Sequence, residues 1–396
     1  MKLPQGYKHT EFGLIPNDWV LCAFEDVLTT FSSGATPYRG IPEYYTGSIR
    51  WISSGELNYN VIYDTLEHIS ANAVRNTNLH IHNPGTFLMA ITGLEAEGTR
   101  GKCAFIGASA TTNQSCLAIN GSDRMCVEYL FWFYRMWGDY LAFKYCQGTK
   151  QQSYTAEIVR KLPIYGPVTI KEQNKIAEAL SDVDALIAAL DKKIAKKRLI
   201  KQGAMQQLLT EKKRLLGFLT PWQEKSLKDI AKLYQPTTIA QSLFTIHGYN
   251  VYGANGIIGK YHQYNHETDQ VLITCRGSSC GTVNYSTGFC WITGNSMVIN
   301  MDNHNEIDKK FVYYLLYSQD LSDLTTGSGQ PQIIRQSLLE YTIRIPTSLK
   351  EQQAIATILS DMDKEIADLE ARRDKYRLIK SGMMQKLLTG QIRLSF

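Results

Sequence analysis

The sequence predicts an α/β chain of two strand-rich globular bodies, each followed by a long helix, with the two helices pairing antiparallel as a coiled coil. Three observations carry this. Residues 171–215 return at 350–394 without a gap, with about 25 of 45 positions identical. Apolar residues within both copies step by four and three, as the seam of a coiled coil does. The segments between them are rich in Gly, Tyr, Thr and Asn and hold only short apolar runs, the pattern of strands joined by turns. The resulting boundaries are a first body over 1–170, a first repeated helix over 171–217, a second body over 218–349 and a second repeated helix over 350–396.

In the first body the run 86–92 (TFLMAIT) reads as a strand, and 127–145 reads as a helix. In the second, 270–275 (QVLITC) and 296–300 (SMVIN) read as strands and 309–321 as a helix. The bodies share landmarks: Trp19 and Trp222 each open a W-x4-[FL]-x-D-[VI] segment holding Asp26 and Asp229, and TNQSCLAIN at 112–120 has the rhythm of TGNSMVIN at 293–300. GTKQQ at 148–152 and GSGQPQ at 327–332 close the bodies, so they read as diverged copies of one domain. In the first repeated helix the seam is Ile176, Leu180, Val183, Ile187, Leu190 and Ile194. In the second it is Ile355, Leu359, Met362, Ile366 and Leu369, continuing to Tyr376, Met383 and Leu387. Pro167 and Pro346 stand just upstream, where a helix can begin but could not contain them. About 40 helical residues at about 1.5 Å each make a rod of roughly 60 Å.

Charge follows the same division. The formal net charge is +5. The first body holds 13 basic against 14 acidic residues and the second 9 against 10, whereas 171–217 holds 11 against 6 and 350–396 holds 9 against 7. The surplus therefore lies on the repeated helices. The chain opens without an apolar leader, and its longest apolar run, 129–137, is far short of the roughly 20 residues that span a bilayer. A cytoplasmic protein with no membrane partner is expected. The eight cysteines form no C-x-x-C pair and no zinc pattern, and read as reduced structural thiols. No [ND]-P-P-[YF] motif, phosphate loop, H-E-x-x-H or G-x-S-x-G occurs, so no methyltransferase, motor or hydrolase chemistry is encoded. Asp182 and Asp184, like Asp361 and Asp363, sit two apart on a helix and do not face each other. They read as solvated acids near a helix N-terminus.

The run G-Y-K-x-T-E-x-G-x-I-P-x-D-W at 6–19, Ser33-Gly34-Ala35-Thr36-Pro37, and Tyr44-Tyr45 followed by Trp51-Ile52-Ser53-Ser54-Gly55-Glu56-Leu57 resemble the DNA-specificity subunits of type I restriction–modification systems, and the resemblance covers essentially the whole chain. In the second body it rests on YNVYGANG at 249–256 and RGSSCG at 276–281. In the repeats it rests on K-E-Q-x-x-I-A-x-x-L-S-x-x-D and R-L-I-K-x-G-x-M-Q-x-L-L-T. The resemblance implies two target-recognition domains, each reading one half of a split, asymmetric site in double-stranded DNA. It also implies a coiled-coil spacer that docks two methyltransferase subunits, with motor-nuclease restriction subunits joining. S-adenosylmethionine, ATP and magnesium would serve those partners, and this chain would carry no cofactor, no metal and no catalysis.

Reading DNA takes hydrogen-bonding side chains at base edges and cations on phosphates. Candidates in the first body are Tyr38, Arg39, Arg50, Arg100, Lys102, Lys150, Gln151, Gln152 and Tyr154. In the second they are Tyr249, Asn250, Tyr252, Asn255, Lys260, Arg276, Ser278, Ser279, Gln330 and Gln332. Each has an ordinary structural alternative: Asn and Ser beside Gly are turn residues, and Tyr on a strand packs. The repeated Arg198/Arg377, Lys201/Lys380 and Met205/Met384 suggest one kind of partner engaged twice, Met being well suited to such contacts. The basic run 192–201 has docking, solvation and DNA contact as its readings. Two other function classes stay open on the residues alone. One is a stand-alone bipartite DNA-binding regulator, which near-neutral bodies disfavour. The other is a coiled-coil scaffold for two non-DNA ligands.

Overall fold

The computed structural model describes residues 5–96, 98–148, 152–327 and 331–394. It divides into two compact units, Met1–Ala189 with Arg373–Phe396, and Leu190–Arg372. Each unit thus holds one body and part of each of two 39-residue helices, Ile170–Leu208 and Leu349–Leu387.

The first body is built on a five-stranded sheet in the order Thr29–Ser33, Cys116–Asn120, Phe87–Ala90, Cys103–Ile106, Asn60–Ile62. Its pairs are antiparallel except the last. The helix Val127–Tyr145 packs on this sheet with the bounds expected from sequence, and its run Tyr129 to Tyr134 is buried on every side. That explains an apolar stretch with little helical periodicity: a helix enclosed all round needs no polar face. A three-stranded sheet runs Ala110–Thr112, Ile49–Ile52, Glu67–Ile69, its first pair parallel and its second antiparallel.

The second body repeats the plan with fewer strands. Its four-stranded sheet runs Lys232–Tyr234, Ser296–Asn300, Val271–Thr274, Val283–Tyr285, and a three-stranded sheet runs Gly256–Tyr261, Tyr249–Gly253, Trp291–Ile292. The helix Lys309–Tyr317 stops four residues before the expected Leu321, where a short 3-10 turn Ser322–Leu324 takes over. The shared Trp landmarks are explained in both bodies. Trp19 and Trp222 are buried, and Asp26 and Asp229 accept backbone hydrogen bonds from Ala23 and Ser226 at 2.8 and 3.1 Å, closing the first turns of short helices. In each body the strand at the Trp landmark pairs with the body's last strand: Val20–Ala23 with Pro163–Gly166, and Trp222–Ser226 with Thr342–Pro346.

In both units the start of one long helix lies against the end of the other. Ile176 and Leu180 join the first unit's core with Leu387 and Leu388, and Ile355 and Leu359 join the second's with Met205, Leu208 and Leu209. The direction is antiparallel. In the first unit Glu172 meets Arg393 and Asp184 meets Lys380; in the second Glu351 meets Arg214 and Asp363 meets Lys201. These are the same repeat positions with the two copies exchanged. The two K-E-Q motifs also tie helix to body. Buried Gln173 donates to the carbonyls of Pro167 and Arg124 and accepts from the Cys126 N–H, and Gln352 does the same with Pro346, Glu306 and Asp308.

Two expectations are corrected here. The repeat extends to Leu215 and Leu394, but each helix ends at Leu208 or Leu387. Thr210 and Thr389 then turn their hydroxyls back onto the carbonyls of Gln206 and Gln385. Asp184 and Asp363 are not solvated first-turn acids. Asp184 bonds Lys380 at 2.5 Å and Arg135 at 2.9 Å, and these cations outweigh burial and hold its carboxyl below the usual range. Asp363 bonds Lys201 at 2.5 Å and the Tyr314 hydroxyl at 2.7 Å.

Candidate nucleic-acid interface

At one edge of the first body three loops meet. The loop after Thr29–Ser33 lies directly on the turn that follows Ala110–Thr112. A Cβ on Gly34 would sit 1.7 Å from the Thr112 carbonyl oxygen, so only glycine allows this approach. The loop after Phe87–Ala90 joins through Ile91, whose N–H bonds the Ser115 carbonyl and whose carbonyl receives the Tyr154 N–H. The closing segment 152–154 thereby runs beside 91–95: Leu94 N–H bonds the Gln152 carbonyl, and the Gln152 N–H bonds the Glu95 carboxylate at 2.9 Å.

The second body assembles the same junction from different residues. The loop after Lys232–Tyr234 reaches the turn at Gly294, through the Gln235 amide and the Thr238 hydroxyl. Here the glycine stands on the other side of the contact, since a Cβ on Gly294 would lie 2.6 Å from the Pro236 carbonyl oxygen. Cys275 N–H bonds the Asn295 carbonyl, and the Cys275 carbonyl receives Ile333 N–H. Arg276 bridges Gln332 backbone to backbone.

The candidates distribute unevenly over these junctions. Tyr38 is well exposed beside Arg39. The Arg39 guanidinium grips Glu67 with two bonds of 2.6 and 2.7 Å and lies over the Tyr45 ring at 4.3 Å. That carboxylate raises the Arg39 pKa, and the guanidinium in turn lowers that of Glu67. Arg50 is half-buried, 3.4 Å from Asp64. Arg100 is spent on its own loop, donating to the carbonyls of Leu94 and Glu95, with Asp139 at 3.6 Å. Lys102 bonds Asn58 and lies over the Tyr59 ring. Tyr154 and Tyr252 are buried and pack, and burial pushes the Tyr154 hydroxyl pKa up. Lys150, Gln151 and Gln330 lie outside the described residues.

In the second body Arg276, Ser278 and Gln332 are exposed together at the junction with half-buried Ser279. Tyr249, Asn250, Asn255 and Lys260 sit instead on the hairpin Tyr249–Gly253/Gly256–Tyr261. Asn255 and Lys260 are exposed there, Asn250 is half-buried, and Tyr249 rests edge-on against Tyr264.

The repeated helix residues have partners inside the chain. Lys201 and Lys380 hold Asp363 and Asp184, Met205 is buried in the second core, and Met384 packs against the first. Arg198 is paired with Glu370, and Arg377 has Asp374 at 3.4 Å. For the two lysine pairs the sequence signal was present, because Lys201/Lys380 and Asp184/Asp363 each recur at the same displacement. Among the residues exposed at matching positions are apolar ones: Leu199 and Ile200 in one copy, Leu378 and Ile379 in the other.

The family model for the type I restriction modification DNA specificity domain matches twice, at residues 16–197 and 220–376. The chain belongs to this family. It is 24% identical to the type I restriction enzyme MjaVIII specificity subunit of Methanocaldococcus jannaschii over 98% of both chains. It is 25% identical to the EcoprrI specificity subunit of Escherichia coli over 84% of both. Among solved structures, the S subunit of a type I restriction–modification system from M. genitalium superposes with a TM-score of 0.70 at 16% identity, covering 98% of each chain. The specificity-family chain described here is thus mixed α/β with two specificity domains and two long helices in contact. Among its described residues no helix is long and apolar enough to cross a membrane, and no cluster of His, Cys, Asp or Glu could hold a metal.

Proposed function

We propose that the chain chooses the DNA sequence on which a type I restriction–modification complex acts. Each body reads one half of a bipartite, asymmetric site in double-stranded DNA. Two methyltransferase subunits dock on the long helices, and motor-nuclease restriction subunits join them. Methyl transfer, ATP hydrolysis and cleavage, with S-adenosylmethionine, ATP and magnesium, belong to those partners. The chain contributes selection alone and works where the host DNA is, in the cytoplasm. The observation that carries the reading is the three-loop junction, built on the same sheet frame in both bodies from side chains that differ. One frame with two sets of surface groups suits two different half-sites. The docking surface is placed on Leu199–Ile200 and Leu378–Ile379, exposed apolar pairs recurring at one repeat position.

Each body carries a net charge of −1, while specific DNA complexes rest on several phosphate contacts. The chain alone is therefore expected to bind DNA weakly. Adding the methyltransferase should tighten binding at least ~100-fold, about 2.7 kcal/mol at ~1.4 kcal/mol per decade. Leu199→Asp with Leu378→Asp should remove that gain while leaving both bodies folded. Reversing Arg198 is a poorer probe, since it would set a second acid against Glu370. Titration at fixed salt decides between readings: nanomolar, sequence-selective binding by the chain alone favours the stand-alone regulator, and no DNA binding in either form favours the scaffold.

A further inference from the structure

The turn at the centre of each junction places an amide side chain at its tip. In the first body the turn is Asn113-Gln114-Ser115-Cys116, closed by a bond from Cys116 N–H to the Asn113 carbonyl, with Asn113 N–H held by the Ile52 carbonyl. In the second it is Thr293-Gly294-Asn295-Ser296, closed from Ser296 N–H to the Thr293 carbonyl, with Thr293 N–H held by the Tyr252 carbonyl. The two turns follow strands of the same place and direction, each parallel to the middle strand of its three-stranded sheet. Each then enters the strand next to the core strand, through Cys116 opposite Ala90 and Ser296 opposite Thr274. The central positions of the turns are Gln114-Ser115 and Gly294-Asn295. In each pair one residue is exposed, Gln114 in the first and Asn295 in the second.

Two of the candidate cations of the first body are already engaged. Arg39 is held by Glu67, and Arg100 by two carbonyls. Gln114 is oriented by Thr36, whose hydroxyl donates to its Oε1 at 2.5 Å. That leaves the Nε2 donor and a second lone pair on Oε1 facing outward as a donor–acceptor pair. The Asn295 side chain has no hydrogen-bond partner among the described residues. Its own backbone is fixed by the bond from Cys275. An exposed amide on a fixed turn, able to donate and accept at once, matches the N7 acceptor and N6 donor of adenine in the major groove.

We infer that Gln114 and Asn295 are specificity-determining residues, each reading an adenine edge in the half-site of its own body. This rests on the proposal that the bodies bind DNA. The experiment uses the full chain with its methyltransferase subunits and a duplex library carrying every base at every half-site position, scored by methylation. The wild-type complex comes first: if it shows no bipartite motif, the proposed function fails before this inference is tested. With a motif in hand, Gln114→Ala should lower discrimination at one A·T position of one half-site by at least tenfold and leave the other half-site unchanged. Asn295→Ala should do the converse. Gln114→Glu keeps size and shape and loses the donor, so it should reproduce the first effect without altering the melting temperature. Where a variant methylates too slowly to score, competition binding to the same library is read by the same criterion. Unchanged discrimination at every position overturns the inference. So does a uniform fall across both half-sites, or an effect confined to a G·C pair.

Discussion

Gly390 and Glu211 occupy the same place in the two copies of the repeat, and both have left-handed backbone, with φ of 67° and 61°. A Cβ on Gly390 would lie 2.4 Å from Pro16 Cγ. Gly390→Ala should therefore destabilise the first unit by about 3 kcal/mol, combining left-handed strain with overpacking. Glu211→Gly should stay within about 1 kcal/mol of wild type, because released strain offsets the ion pairs to Arg214 and Arg344. Denaturant titration of both variants checks this, and equal losses would contradict it. His82 is the residue whose titration matters most in the accessible range. Its ring is buried next to His80, and burial, with that neighbour adding, holds its pKa down at about 4 against an ordinary 6.5. The unfolded chain thus takes up a proton that the folded chain refuses. The first unit should be fully stable above pH 6.5 and lose stability as pH falls toward 4, by roughly 2 kcal/mol. His82→Asn should flatten that slope between pH 6.5 and 4.5, and a slope unchanged by the substitution would place the proton uptake elsewhere. At this scale the sequence showed which loops carry polar groups but not which groups are already engaged. Arg39 looked available because Glu67 is 28 positions away, and only folding brings them together.

The long helices show what pairing does with a repeated motif. Glu351 is fully buried and receives two bonds of 2.7 Å from Arg214, and Glu172 and Arg393 form the matching pair in the first unit. Arg214→Ala leaves an uncompensated buried carboxylate and should cost the second unit about 3–5 kcal/mol. Arg214→Met with Glu351→Leu removes both charges and should recover most of that loss. Calorimetry of the single and double variants separates the two, and a double variant as unstable as the single would show that packing at Arg214, not charge, is what matters. The long helices and their seam positions Ile176, Leu180, Ile355 and Leu359 were legible from periodicity, and the strands within 86–92, 270–275 and 296–300 from short apolar runs between turn residues. The short strands of the three-stranded sheets were not, because their few residues carry too little alternation to stand out from loops.

The second body begins and ends on one pair of strands, so its chain ends meet. Replacing 221–345 with the second body of another family member should therefore preserve the Trp222–Ser226/Thr342–Pro346 pairing, if the graft keeps those strands. It should change one half-site of the methylated motif only. A chimaera whose other half-site also changes would mean that the bodies read DNA jointly. By itself the sequence determined the duplication, the helix seams, the neutral bodies and the family, because each is a property of periodicity, composition or motif order along the chain. Only the tertiary structure decided that Lys201, Lys380, Arg214 and Arg393 serve contacts inside the chain. It alone placed an exposed amide at the tip of the central turn in each body. Those outcomes depend on which groups, tens to hundreds of positions apart, are close enough to satisfy one another, and linear pattern holds no distances.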